Sequence, residues 1–128
     1  MKTILTTISI ILFNLSSYGQ YLDLDWNTQD DICINQVIYF YDSTRQIREI
    51  GCWNEDLTLR NGKWILFSKN GQKIGVANFD VEGKKHGSWK IWDETGELLF
   101  SMVYKHGERV GTWVKYNKDG TKNKKIYN

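Results

Sequence analysis

The chain has 128 residues, and its 17 basic and 15 acidic side chains give a net charge of +2 at neutral pH. This length suffices for one small domain, and the absence of a dense arginine cluster argues against nucleic acid as a partner. There is no proline, which fits a chain that consists mostly of paired β-strands.

The first 19 residues are predicted to be a secretory signal peptide. Lys2 provides a basic start, residues 4–15 are mostly apolar, and small residues stand at Ser17 and Gly19. That layout is typical of a cleaved export signal, and the apolar run is too short to span a membrane. The alternative is a buried N-terminal strand. We therefore expect an exported protein, in the periplasm, at the cell surface or secreted.

An acidic leader, residues 20–36, follows the predicted signal. Residues 20–60 carry eight acidic and three basic side chains, whereas residues 61–128 carry seven acidic and 13 basic ones. Such polarity would suit partners, or self-association, at opposite ends of the protein. A solvated surface is the alternative.

The chain contains two cysteines, Cys33 and Cys52. An even pair in an oxidising compartment tends to form a disulfide. We therefore predict a bond between them, which would attach the leader to the first hairpin. Two buried free thiols are the alternative.

One motif occurs three times: Gly, any residue, Trp, two residues, an aromatic, three residues, Gly. It spans residues 62–71, 87–96 and 111–120, and its tryptophans are 25 and 24 positions apart. A fixed period of this length indicates a repeat architecture. A fourth, degraded copy lies around Tyr41, where Arg45 replaces the turn glycine, as expected for an outer unit.

Each repeat is predicted to be a β-hairpin. Strand-forming Val, Ile and aromatic residues alternate with turn formers, and Gly71, Gly96 and Gly120 end the hairpin turns, where glycine tolerates positive φ. The predicted units are a degenerate repeat at 37–59 and repeats at 60–83, 84–107 and 108–128. The predicted strands are 37–42, 46–53, 63–68, 72–79, 88–93, 97–104, 112–117 and 121–127.

Alternation along the strands assigns two faces to the predicted sheet. Trp64, Trp89 and Trp113 share one face and are expected to form the repeat core, with a partner-binding strip as the alternative. With a tight hairpin turn, Trp89 would lie opposite Phe100, and Trp64 opposite Gly75. The other face would present the predicted partner contacts, which are Phe67, Lys90, Trp92 and Tyr116.

The stretches 83–96 and 104–120 resemble the MORN repeat. More closely, they are similar to a bacterial group of MORN variants in which Trp stands two residues after the second Gly, as Trp89 does after Gly87. The resemblance covers residues 60–127, with an extension back to residue 37. It implies serial β-hairpins in one elongated, twisted sheet that serves as a scaffold or contacts protein or lipid. Members of this group are often labelled antitoxin-like.

The residues predict no catalytic site, no metal site and no cofactor. His86 and His106 fall in inter-hairpin turns at non-equivalent positions, without a cysteine or carboxylate at ligand spacing. Ser68, Ser88 and Ser101 lie within predicted strands and lack the sharp turn that exposes a nucleophile. Solvent-exposed turn histidines are therefore expected.

These observations predict a non-enzymatic repeat protein that binds an unidentified protein partner. One alternative is weak binding to anionic membrane surfaces through the basic half. Another is an antitoxin or immunity role, implied by the label of the similar family. Open sheet edges would also permit self-association. The lysines that would face a membrane are Lys115, Lys118, Lys122, Lys124 and Lys125.

Overall fold

The computed structural model describes residues 33–128, so the predicted signal peptide and most of the predicted leader lie outside the described residues. Residues 33–128 form nine β-strands and no helix, which confirms the all-β prediction. This part of the chain accordingly offers no helix able to cross a membrane. The strands are β1 (Asn35–Phe40), β2 (Ile47–Trp53), β3 (Arg60–Phe67), β4 (Lys73–Phe79), β5 (Gly87–Trp92), β6 (Leu98–Lys105), β7 (Glu108–Arg109), β8 (Gly111–Tyr116) and β9 (Lys122–Tyr127).

All nine strands belong to one open antiparallel sheet. Its order is β1-β2-β3-β4-β5-β6-β8-β9, and the two-residue β7 pairs with β6. Spatial order therefore follows chain order, and the predicted array of hairpins in a single sheet is confirmed. The eight predicted strands correspond to β1–β6, β8 and β9, with ends displaced by at most three residues. Only β7 was not predicted.

The predicted turn glycines adopt left-handed backbone conformations. Gly71, Gly96 and Gly120 have φ values of 86°, 92° and 85°. The amide of Gly96, for example, donates to Asp93 O, and the amide of Asp93 donates to Glu97 O. The same two bonds hold Gly71 and Gly120 in their turns. This pattern is a three-residue loop, in which a type I turn is followed by one left-handed residue.

The three-residue loop changes the register that a tighter turn would give. Trp89 pairs with Met102 rather than Phe100, and Trp64 pairs with Ala77 rather than Gly75. The predicted pairings were therefore wrong by two residues, because each loop adds an irregularity at the strand end. Side chains alternate between the two faces of the sheet with a period of two. A register shift of two residues therefore changes the residue opposite each tryptophan but not the face on which the tryptophan lies.

Buried apolar side chains are concentrated in β2–β4. From β5 onward, Met102 is the one apolar side chain of the described residues that is buried to the same degree. The sheet therefore has a well-packed first half and a second half whose apolar side chains are mostly half-exposed. The buried apolar residues of β2–β4 are Ile47, Ile50, Cys52, Trp64, Ile65, Phe67 and Ala77.

Trp64 packs over a glycine of the neighbouring strand. A Cβ atom on Gly51 would have three atoms of the Trp64 ring within 2.5 Å, so only glycine fits beneath the indole. Gly75, which the sequence predicted opposite Trp64, does not provide this space, because a Cβ added there would meet Leu66.

The predicted disulfide is confirmed. Cys33 and Cys52 are bonded, with their Cα atoms 5.5 Å apart. The bond ties the residues just before β1 to the end of β2, the neighbouring strand, and closes a loop with a sequence separation of 19 residues.

Candidate functional site

The three repeated tryptophans make the same hydrogen bond. Each indole N–H donates to a backbone carbonyl in the preceding strand region, so each ring is fixed both by its strand and by this bond. Buried or half-buried indole nitrogens need such a partner. Phe has no N–H group and could not make this bond, which gives a reason for Trp at the three motif positions. The acceptors are Cys52 O for Trp64 (3.0 Å), Asn78 O for Trp89 (2.9 Å) and Val103 O for Trp113 (2.9 Å).

Burial differs along this row. Trp64 has an exposed fraction of 0%, whereas Trp89 and Trp113 are half-buried. We call the side of the sheet that carries these three rings the indole face. Its first part is the core that the sequence analysis expected, and its second part leaves ring surface accessible to solvent.

A continuous ladder of aromatic rings runs across β4–β9 on the indole face. Phe79 contacts Trp89 with ring centroids 5.2 Å apart, and Trp89 contacts Tyr104 at 5.4 Å. Tyr104 in turn contacts Trp113 at 5.0 Å, and Trp113 contacts Tyr127 at 5.2 Å. The rings meet edge-on or tilted, the arrangement that the ring quadrupole favours.

A cation lies over each repeated tryptophan, and sequence reasoning missed it. Arg60, Lys85 and Arg109 each stand four residues before a motif Trp. Their charged groups lie 3.9, 4.7 and 5.0 Å from the respective ring centroids. Such cation–π contacts contribute about 0.5–1 kcal/mol when exposed. A basic residue two positions before the motif's first Gly was the signal that could have revealed them.

A groove of about 210 Å³ lies on the indole face at β6–β9. Its apolar floor includes Phe100, Met102 and the rings of the ladder's end, and lysines stand around it. We call this the lysine-rimmed groove. Its lining residues are Phe100, Met102, Trp113, Val114, Lys115, Asn123, Lys124, Lys125 and Tyr127.

Electrostatics in this groove favour negative charge. The pKa of the Tyr127 phenol is lowered by a hydrogen bond from Arg109, whose Nη1 is 3.3 Å from the phenol oxygen. Partial burial opposes this effect, and the charge of Lys125 reinforces it. A carboxylate in the groove would be attracted by the charges of Lys115, Lys124 and Lys125, which line it.

The predicted partner contacts lie elsewhere. Phe67 has an exposed fraction of 4%, so its side chain offers little contact area. Trp92 and Tyr116 are half-buried, each beneath a lysine whose Nζ lies 4.9 Å and 5.3 Å from the ring centroid, respectively. Lys90 is exposed on β5.

The two histidines come together with a carboxylate that the sequence spacing did not indicate. The rings of His86 and His106 have centroids 4.6 Å apart, and Asp80 Oδ2 lies 2.9 Å from His106 Nδ1. Burial raises the pKa of Asp80, but hydrogen bonds from His106 and from two backbone amides of the turn outweigh it, and the resulting pKa lies below its ordinary value.

These features define the class of protein as an all-β array of serial hairpins that carries an aromatic ladder on one face. Comparisons with family models, with curated proteins and with solved structures found no match. The resemblance to MORN variants therefore stays a prediction that depends on the repeated motif.

Proposed function

We propose that this protein is an exported, non-enzymatic MORN-like repeat module that binds another protein through the lysine-rimmed groove. The observation that carries the proposal is the half-exposed second half of the aromatic ladder. Trp and Tyr provide large, rigid contact areas and dominate the energetics of protein interfaces. In this chain they lie at one end of the sheet, where a partner can bury them.

The chemistry of the groove indicates the kind of partner. Its apolar floor suits an aromatic or aliphatic side chain, and its rim of Lys115, Lys124 and Lys125 suits neighbouring carboxylates. Charge complementarity of this kind accelerates association and fixes orientation more than it adds affinity. We therefore expect a protein segment that combines acidic and apolar residues. An antitoxin-like role, in which such a partner is neutralised, would be a special case.

Export is supported by the disulfide. Cys33–Cys52 is compatible with an oxidising compartment, where structural disulfides form and persist. Together with the predicted signal peptide, this favours a partner in the periplasm, at the cell surface or outside the cell.

Membrane-surface binding is the second candidate, because β9 exposes basic and apolar side chains together. Lys122, Lys124 and Lys125 are exposed, and Ile126 has an exposed fraction of 70%. Each lysine near an anionic surface contributes about 1 kcal/mol, so this attraction would be modest and sensitive to salt.

The test compares variants on the two faces. The chain is immobilised and incubated with a native envelope extract, and proteins retained by it are quantified for wild type, for Lys115→Glu/Lys125→Glu and for Trp92→Ala. We expect a specific protein whose retention falls at least about tenfold, equivalent to 1.4 kcal/mol, in the double variant and stays unchanged in Trp92→Ala.

Two outcomes would contradict the groove proposal. Loss of the retained protein in Trp92→Ala alone would place the contact on the opposite face, as the sequence analysis predicted. Equal retention by all three proteins, combined with salt-sensitive co-sedimentation of the wild type with phosphatidylserine vesicles, would favour the membrane surface instead. Far-UV circular dichroism establishes that each variant is folded.

A further inference from the structure

Asp80, His86 and His106 meet where two neighbouring turns lie side by side. Asp80 opens the turn between β4 and β5, whose first amide donates to Lys84 O at 2.9 Å. His86 ends that connection just before β5, and His106 lies in the turn between β6 and β7. Asp80 and His86 lie in the same connection, whereas His106 is 26 positions after Asp80.

Backbone contacts hold the two turns together. The amide of Gly107 donates to Lys85 O at 2.8 Å, and the amide of His106 donates to His86 Nδ1 at 3.2 Å. The position of both rings is therefore set by the sheet and its turns, not by flexible side chains alone. Such support is what a preorganised ligand site requires.

The Asp80 carboxylate has two separate tasks. Its Oδ1 accepts the amides of Glu82 and Lys84, both at 2.9 Å, which closes the turn. Its Oδ2 faces His106 Nδ1. The Asp80 side chain has an exposed fraction of 8%, whereas that of His106 is 62% exposed. A fixed, nearly buried carboxylate oxygen thus lies beside an imidazole ring that is exposed to solvent.

His106 occupies a left-handed backbone conformation. Its φ is 47°, and that of Gly107 is 88°, as in a two-residue type I′ turn, where Asn-Gly or Asp-Gly is the usual pair. Histidine is also enriched among non-glycine residues at positive φ. The turn therefore tolerates histidine, and the contact with Asp80 gives this position a reason to carry an imidazole.

We propose that Asp80, His86 and His106 bind a Zn²⁺ ion. One ligand atom from each residue can be chosen so that all three lie within 4.8 Å of one another. In a tetrahedral site with bonds of about 2.0–2.2 Å, ligand atoms lie about 3.3–3.6 Å apart. Side-chain rotations that move the ligand atoms by about 1 Å are therefore enough to bring all three within bonding distance of one ion. Two imidazoles with one carboxylate suit Zn²⁺, whereas Mg²⁺ and Ca²⁺ prefer oxygen ligands alone. Water, or a donor from a bound protein, completes the fourth position.

Such an ion would join two successive repeats. Asp80 belongs to the repeat at 60–83, whereas His86 and His106 belong to the repeat at 84–107. A metal shared by their turns would fix the spacing of neighbouring hairpins at one end of the strands. None of the three residues lines the lysine-rimmed groove, so the metal site and the proposed protein partner can be tested separately.

The test is a titration of the untagged chain with ZnCl₂ by isothermal calorimetry, with CoCl₂ absorption as a second readout of coordination geometry. Asp80→Asn keeps the oxygen that closes the turn, and His106→Asn keeps a residue that tolerates positive φ. Asp93→Asn, a similar change in a different turn, is the matched control. Because the chain has two histidines, NMR of the imidazole nitrogens reports directly which ring is bound.

We expect one Zn²⁺ per chain, an increase in the melting temperature on adding ZnCl₂, and perturbed nitrogen resonances of both rings. Asp80→Asn and His106→Asn should each weaken binding at least tenfold, and Asp93→Asn should leave it within twofold of wild type. The proposal is overturned if ZnCl₂ at 100-fold excess produces no saturable heat and no imidazole shift. Binding that all three variants retain equally would overturn it as well.

Discussion

We expect Gly51→Ala to lower the free energy of unfolding by about 3 kcal/mol. An added Cβ would overlap the Trp64 ring, with three ring atoms within 2.5 Å, whereas carbon atoms in contact lie about 3.5–4.0 Å apart. The indole must therefore move by more than about 1 Å, although it is completely buried. Overpacking of this kind costs about 1–3 kcal/mol. Loss of the Trp64 hydrogen bond to Cys52 O adds about 1 kcal/mol.

Gly75→Ala is the matched control, because both glycines lie inside strands and neither has positive φ. At Gly75 the nearest atom to an added Cβ is Leu66 Cδ1 at 3.4 Å, so a change below about 1 kcal/mol is expected. Urea unfolding of the oxidised protein, followed by far-UV circular dichroism, gives both values. A loss of about 3 kcal/mol in Gly51→Ala corresponds to a melting temperature about 12–24 °C below that of the wild type.

Equal stability of the two variants would refute this account of the Trp64 packing. A double-mutant cycle makes the test specific to the indole. In a Trp64→Ala background, Gly51→Ala should cost little, because the ring that it displaces is gone.

Because Trp64 is fully buried and Trp89 is half-buried, Trp64→Ala should lower the free energy of unfolding by about 4–5 kcal/mol and Trp89→Ala by about 2–3 kcal/mol. Urea unfolding measures both, and equal losses would contradict the difference in burial. Arg60→Gln should cost about 2 kcal/mol by the same measurement, because it removes the closer ion pair (2.9 Å) of Glu49, which is 8% exposed, and the cation–π contact with Trp64. An unchanged stability would show that the two contacts contribute nothing. The pKa of Asp93 lies below its ordinary 3.8, chiefly because the turn's threonine hydroxyl donates to it and backbone amides assist. The stability that it contributes is therefore complete above about pH 5 and is lost as the pH falls through the lowered pKa. Between about pH 5 and about pH 2, the free energy of unfolding of Asp93→Asn should therefore fall less than that of the wild type in urea unfolding. An equal fall in both proteins would show that ionised Asp93 does not stabilise the turn.

The fold could be predicted from the sequence because each repeat contains the residues that specify its own strands and turn. A glycine four residues after the last residue of a strand rich in aromatic and β-branched residues specifies a hairpin turn. The period of 24–25 residues then specifies that neighbouring hairpins pack alike. The disulfide followed from having two cysteines in a chain predicted to be exported. The turn signals depend on neighbouring residues only, and the disulfide required the pairing of just two cysteines.

Register and burial could not be read in the same way. The offset of two residues at Trp89 arises from loop geometry, and a shift of this size leaves the pattern of apolar residues unchanged. The space for Trp64 comes from Gly51 on an adjacent hairpin, and no motif links those positions. Full burial of Trp64, against half-burial of Trp89, reflects packing of the whole sheet, whereas the motif at the two sites is the same.

The candidate zinc ligands show the same limit. His86 and His106 occupy non-equivalent positions in their repeats, so aligning the repeats separated them. Their meeting depends on the two-residue turn after β6, which folds β7 back and brings His106 beside the preceding turn. The spacing of Asp80 from His106 gives no sign of a shared site, and its second oxygen becomes a possible ligand only through that juxtaposition.

The position of lysines in β9 argues for contact through the face of the sheet and against its edge. β9 is the last strand in the sheet order of residues 33–128, and Lys122, Lys124 and Lys125 are exposed along it. A second copy adding its β9 there would place like charges opposite one another, which is destabilising, and lysine on an edge strand is a common protection against such pairing. The same charges attract carboxylates to the lysine-rimmed groove, whose apolar floor lies beside them. One set of side chains can therefore discourage self-association through this edge and recruit an acidic partner to the indole face.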